Sequence, residues 1–211
     1  MSNASTAVHG DHHPVDPNVP LEYHEEENSL RITGFWLFLG QDMILFSSLF
    51  ATYIVMHGRV AGGPTSQQLF DVTGFTIETI ALLFSSFTCG LATYEMRRGH
   101  RNAVIGWILV TMALGLVFLG FEVSEFIHDV GIGATLQRSG FLSAFYILVG
   151  THGSHVTVGL LWVTLLIFQL LRRGITPVTA RKVFLWSIYW HFLDAVWIFI
   201  FTVVYLTGKV I

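Results

Sequence analysis

From Ile32 onward the chain alternates between apolar stretches of membrane-spanning length and short polar breaks. About five such stretches can be read, each long enough, at 1.5 Å rise per residue, to cross a hydrocarbon core of about 30 Å as a helix. The first covers about 32–56, the second about 72–94, the third about 103–127 and the fourth about 141–171. The fifth begins near Val183 and runs on to Tyr205 and Leu206. No break between them is long enough to hold a soluble domain. The pattern predicts an all-α fold: an integral membrane bundle of five transmembrane helices occupying 32–211.

Residues 1–31 read differently. They carry Pro14, Pro17 and Pro20, histidines at His9, His12 and His13, and an acidic run of Glu22, Glu25, Glu26 and Glu27. This composition has too little apolar surface to fold alone, so the segment is expected to be a polar, disordered tail. A charged n-region, short apolar core and cleavage site are missing, so the first span is expected to act as the insertion signal. The histidines allow weak metal binding, but disorder is the simpler reading.

Charge sets the expected orientation. The break after the second span holds Arg97, Arg98 and Arg101, and the break after the fourth holds Arg172, Arg173, Arg181 and Lys182. The other two breaks hold Arg59 and Arg138. The excess of Lys and Arg on alternate loops places those loops inside, which puts the N-terminus in the cytoplasm and Ile211 outside, on the periplasmic face.

Composition agrees with a bilayer protein and removes several functions. The chain is 53% hydrophobic and 12% charged, with mean hydropathy +0.62. Its net charge of −3 comes largely from acids before the first span, and no basic face for nucleic acid exists. Cys89 is the single cysteine, which excludes an intrachain disulfide framework, a Cys-rich zinc module and a c-type haem attachment.

Ionisable residues inside the spans are costly in lipid, so each is a candidate site. They are Asp42, Glu78, His152, His155, His191 and Asp194, with Glu122 and Glu125 nearer the outer surface. Three roles compete. Metal or haem ligation would need more histidines, on more helices, than these spans supply. A proton or ion relay could run through Asp42, Glu78, His155 and Asp194, as in a stand-alone transporter or channel, but no internal repeat or matched pair of broken helices supports it. The remaining role is mutual satisfaction between helices. His191 and Asp194, three residues apart, share a face of the fifth span. With His152 or His155 they are expected to fasten the fourth and fifth spans together, helped by the small residues around Gly150 and Gly153.

Three stretches also resemble subunit III of the haem-copper oxidases. They are Gly150-Thr151-His152-Gly153-Ser154-His155-Val156-Thr157-Val158-Gly159, Tyr189-Trp190-His191-Phe192-Leu193-Asp194-Ala195-Val196-Trp197 and Gln41-Asp42-Met43-Ile44-Leu45-Phe46. Asp42 stands where the cytochrome c oxidase branch has a membrane Glu. The resemblance covers Ile32 to Ile211. Five spans instead of seven, with Phe50-Ala51-Thr52-Tyr53, Ala61-Gly62-Gly63-Pro64-Thr65 and Arg138-Ser139-Gly140-Phe141, read most like the bacterial cytochrome bo-type ubiquinol oxidase form. Menaquinol and cytochrome c oxidases are the alternatives.

The resemblance implies a bacterial inner (cytoplasmic) membrane protein, an accessory subunit of a proton-pumping respiratory oxidase that reduces oxygen to water. It implies haems and copper in a partner subunit I, with subunit II and a small subunit IV as further partners, and no cofactor or catalytic residue in this chain. It also implies bound phospholipid. Asp42, Glu122, Glu125, Arg97, Arg98, Arg172 and Arg173 are the expected lipid or subunit contacts.

Overall fold

Two three-residue connections carry much of the topology. In the computed structural model, which describes residues 20–23, 26–59 and 72–206, the chain forms α1 (Glu26–Met56), α2 (Val72–Arg97), α3 (Arg101–Gly131), α4 (Gly140–Arg173) and α5 (Pro177–Ile200). Only residues 98–100 separate α2 from α3, and only 174–176 separate α4 from α5. Gly99 (φ 78°) and Gly174 (φ 68°) take the left-handed backbone these tight turns require. A 3-10 turn, Leu21–Tyr23, precedes α1, and a π-helical turn, Phe201–Leu206, extends α5. Among the described residues five helices are long and apolar enough to cross a membrane. The all-α, five-helix expectation stands.

Two boundaries depart from the hydropathy reading. α5 starts at Pro177, not near Val183, because Thr176 caps it: its side chain accepts from the Thr179 N–H while the Thr179 hydroxyl accepts from the Thr176 N–H, with Pro177 at the first helical position. Arg181 and Lys182 look like loop in a hydropathy profile, yet they lie inside the helix, where Lys182 donates to Gln169 of α4 at 2.7 Å. Asp194 is therefore about 9 Å further from the start of its helix than the apolar run suggests. At the other end of the chain, α1 begins at Glu26 and the turn at Leu21–Tyr23 is ordered, both within the stretch expected to be tail. The histidines of residues 1–19 lie outside the described residues.

α5 is the central helix, packing on α4, α2 and α1, while α2 lies along α3. In lipid no hydrophobic force drives helices together, so close packing and hydrogen bonds must do so. The tryptophans of α5 supply both. Trp190 Nε1 donates to Ser85 of α2 at 2.9 Å, Trp186 Nε1 to the Gly159 carbonyl of α4 at 3.1 Å, and Trp197 Nε1 to Thr79 of α2 at 3.1 Å. The Trp190 ring fits because two helices lack side chains beside it. A Cβ on Gly115 of α3 would sit 2.8 Å from its Cη2, and one on Gly159 of α4 would sit 3.3 Å from its Cζ3. One side chain thus pins four helices.

Candidate functional site

The intramembrane polar residues fall into three groups, two of them unlike the pairing expected from sequence. The first joins α1 to α4. Asp42, 4% exposed, faces α4, and its Oδ2 is 3.9 Å from His155 Nε2. His155 donates Nδ1–H to the Thr151 carbonyl one turn back, at 2.7 Å, which turns Nε2 toward the carboxyl group. Whether the pair is acid and neutral imidazole or carboxylate and imidazolium, it carries no net charge into the bilayer. His155 therefore partners Asp42 and not Asp194. Helix rotation decides this, and hydropathy does not report it.

The second group lies on α5 and α2. Asp194 is buried and lies near Ser86 of α2 and His191 on its own helix, so it faces α2 rather than α4. A hydroxyl seam runs beside it: Thr93 and Cys89 of α2 donate to Ser187 Oγ at 3.1 and 3.4 Å, and Thr88 bonds Thr111 of α3 at 2.8 Å. His191 donates Nδ1–H to the Ser187 carbonyl at 2.7 Å. Its ring is exposed, unlike the buried interhelical contact expected from sequence.

A cluster of carboxyls forms the third group. Glu78 of α2 is buried within electrostatic reach of Glu122 and Glu125 of α3. Glu122 is 3% exposed and lies against the backbone of α4, where a Cβ on Gly153 would collide with both its carboxyl oxygens. Glu125 accepts from the Tyr205 hydroxyl at 3.5 Å. The structure thus places Glu122 inside the bundle.

The histidines do not converge as ligands. His152 is 0% exposed, and its ring is enclosed by Phe118 and Trp197 at 5.7 and 5.3 Å between centroids. His155 and His191 each commit Nδ1 to a carbonyl on their own helix. Among the described residues no group of three or more His, Cys, Asp or Glu is placed to hold a metal. Inside its aromatic enclosure His152 has no hydrogen-bond partner among the described residues for either ring nitrogen, while the other two rings are each held by their own helix.

The basic residues gather at the end where α2 meets α3 and α4 meets α5. Arg98, Arg172 and Arg173 are exposed, and Arg172 lies 4.2 Å over the Phe168 ring. Arg97 has another use: its Nη2 and Nε donate to Glu22 at 2.9 and 3.2 Å, and Glu22, on the turn before α1, is 0% exposed. Arg101 donates to the Leu171 carbonyl. Sequence reasoning missed the Glu22–Arg97 anchor and the α2 hydroxyls. For the hydroxyls a signal existed: Ser85, Thr88 and Cys89 recur at helical spacing on one face. Nothing in the sequence marked Glu22 apart from its acidic neighbours.

Known proteins resemble the chain over nearly its full length. Residues 24–209 match the family described as cytochrome c oxidase subunit III. The quinol oxidase subunit 3 of Bacillus subtilis is 53% identical over 191 residues, covering 90% of this chain and 94% of that protein. The cytochrome bo(3) ubiquinol oxidase subunit 3 of Pseudomonas putida is 47% identical over 183 residues, covering 87% and 88%. A probable quinol oxidase subunit 3 of Staphylococcus haemolyticus is 46% identical, covering 90% and 95%. With a family match over residues 24–209 and this extent of identity, the chain belongs to the cytochrome c oxidase subunit III family.

Proposed function

We propose that the chain is the non-catalytic third subunit of a bacterial quinol oxidase, a multi-pass protein of the cytoplasmic membrane that supports a partner subunit carrying the redox centres. The observation that carries this reading is the near-complete match to proteins named quinol oxidase subunit 3. The geometry agrees with a supporting role, because the membrane pair His155 and Asp42 joins α4 to α1. The relatives' names favour a quinol over cytochrome c as donor. Ubiquinol is the donor proposed, on the stretches shared with the cytochrome bo form.

In this reading subunit I is the main partner, with subunit II and a small subunit IV completing the complex, and the N-terminus is cytoplasmic. Arg98, Arg172 and Arg173 lie at the inner surface and are placed for lipid phosphates, to which juxtamembrane cations are drawn. Asp42 and His155 keep α1 on the bundle and so keep the supporting surface in shape.

The test is purification through a tag on this chain in mild detergent, followed by absorbance spectra and oxygen consumption with ubiquinol or menaquinol. Haem-bearing partners should co-purify and oxidise ubiquinol. Oxidation of menaquinol alone would replace the donor and keep the rest. Absence of any haem-bearing partner, with ion flux from the isolated chain in liposomes, would replace the whole reading with a transporter.

A further inference from the structure

α1 meets the bundle along one edge and leaves a groove beside α5. Trp36, Leu39, Gly40 and Met43 of α1 and Ile188 and Phe192 of α5 line a hollow of about 550 Å³. Met43 and Phe192 also border a second hollow of about 240 Å³ that reaches Phe50 and Phe199. From Trp36 to Phe50 the groove follows about 21 Å of helix, roughly two thirds of the hydrocarbon thickness.

Polar side chains are few along it, and Ser47, in the smaller hollow, is bonded to its own helix, its hydroxyl donating to the Met43 carbonyl at 2.7 Å. Of the residues lining the larger hollow, Ser187 and His191 of α5 carry polar side chains, and Trp36 of α1 carries an indole N–H. Ser187 is buried, and its hydroxyl is engaged inward by Thr93 and Cys89. His191 is exposed, and its Nδ1–H is committed to the Ser187 carbonyl. In the neutral ring this fixes the tautomer, so Nε2 presents a lone pair and accepts a hydrogen bond.

Depth separates the occupants. His191 is the middle residue of the span Pro177–Tyr205, about 21 Å of helix from either end. Lipid hydrogen-bond donors belong to head groups, about 15 Å from the midplane, and acyl chains have none. A lipid filling this groove would leave Nε2 unsatisfied in hydrocarbon, where an unpaired polar group is expensive. A helix from another subunit brings side chains to any depth. Gly40 would also let its backbone approach closely, because a Cβ there would meet nothing within 4 Å.

We propose that the α1/α5 groove seats a transmembrane helix of a partner oxidase subunit, and that this helix donates a hydrogen bond to His191 Nε2 from a hydroxyl, amide or indole side chain. The proposal rests on the reading of the chain as an oxidase subunit and adds which face is used and which atom sets the register. His191 is a positioning residue for assembly and takes no part in the chemistry.

The assembled oxidase, purified through a tag on the catalytic partner, supplies the test. With p-benzoylphenylalanine in place of Ile188, irradiation should link this chain to another oxidase subunit, and mass spectrometry should place the link in an apolar segment. The same probe at Phe84, exposed on α2, should not. In detergent dilution, His191→Leu should speed loss of the chain from the complex about three- to tenfold, the range of one interhelical hydrogen bond. His191→Gln, whose amide oxygen still accepts, should stay near wild type. An Ile188 adduct with lipid or quinone alone, a link from Phe84 and not Ile188, or a His191→Leu chain held as firmly as wild type would each overturn the proposal. If the chain co-purifies with oxidase subunits but links elsewhere, only the groove assignment falls; if it does not co-purify, the oxidase reading falls with it.

Discussion

The two sides of α5 are built on different principles. Toward α2, α3 and α4 it presents tryptophans whose N–H groups each reach another helix, and the Trp190 ring fills a notch left by Gly115 and Gly159. Toward α1 it presents Ile188, His191 and Phe192 across an open groove, and Asp42 of α1 makes its contact with His155 of α4, at 3.9 Å. The first side is complete within the chain. The second has the chemistry of a surface finished by something else, which suits an accessory subunit whose fold must be self-supporting while one face stays available.

Cys89 provides a readout for breaking this contrast. It is the single cysteine and 0% exposed, at the seam between α2 and α5. A thiol-reactive fluorophore, read on this chain's own band during heating of the solubilised complex, reports opening of the tight side. The largest effect is expected from Trp190→Ala, which removes the ring shared by four helices: a loss on the order of 3–5 kcal/mol and labelling at much lower temperature. Met43→Ala, in the groove, should leave Cys89 protection within about 0.5 kcal/mol of wild type. Equal effects from the two would erase the distinction between the sides.

Gly115→Ala comes next. It drives a methyl to 2.8 Å from a buried ring that has no room to retreat, so about 1–3 kcal/mol of overpacking is expected. Labelling of Cys89 as slow as in wild type would mean that the ring is not wedged there. The smallest effect is that of Thr79→Val, which keeps shape but removes the acceptor for Trp197 Nε1. About 0.6 kcal/mol, the average for interhelical hydrogen bonds in a membrane, should be lost. A loss no smaller than that of Gly115→Ala would show that hydrogen bonding outweighs packing on this side.

The five helices were legible because hydrocarbon thickness imposes a length that apolar runs display directly. The family was legible because three stretches, around Asp42, His155 and Asp194, stand in order on separate spans. The start of α5 was not, since Arg181 and Lys182 dominate a hydropathy window while the cap at Thr176 is a matter of local hydrogen bonds. Partner choice was also hidden. His155 and Asp194 looked matched because α4 and α5 are neighbours, but depth and rotation set His155 against Asp42 and Asp194 against Ser86. Gly115 and Gly159 could not be told from other glycines until the ring they accommodate was in place.

The three-residue connections have a consequence for how the protein is made. Helices joined by 98–100 or by 174–176 have only about 10 Å of chain between their ends, so neither helix of a pair can drift from the other once both are in the bilayer. α2 with α3, and α4 with α5, therefore assemble as hairpins. Arg98 and Arg101 mark the tip of one hairpin, and Arg172 and Arg173 mark that of the other. The cations cluster where the chain turns back within each pair, and α1, joined to neither hairpin by so short a turn, packs on the face the finished bundle leaves open.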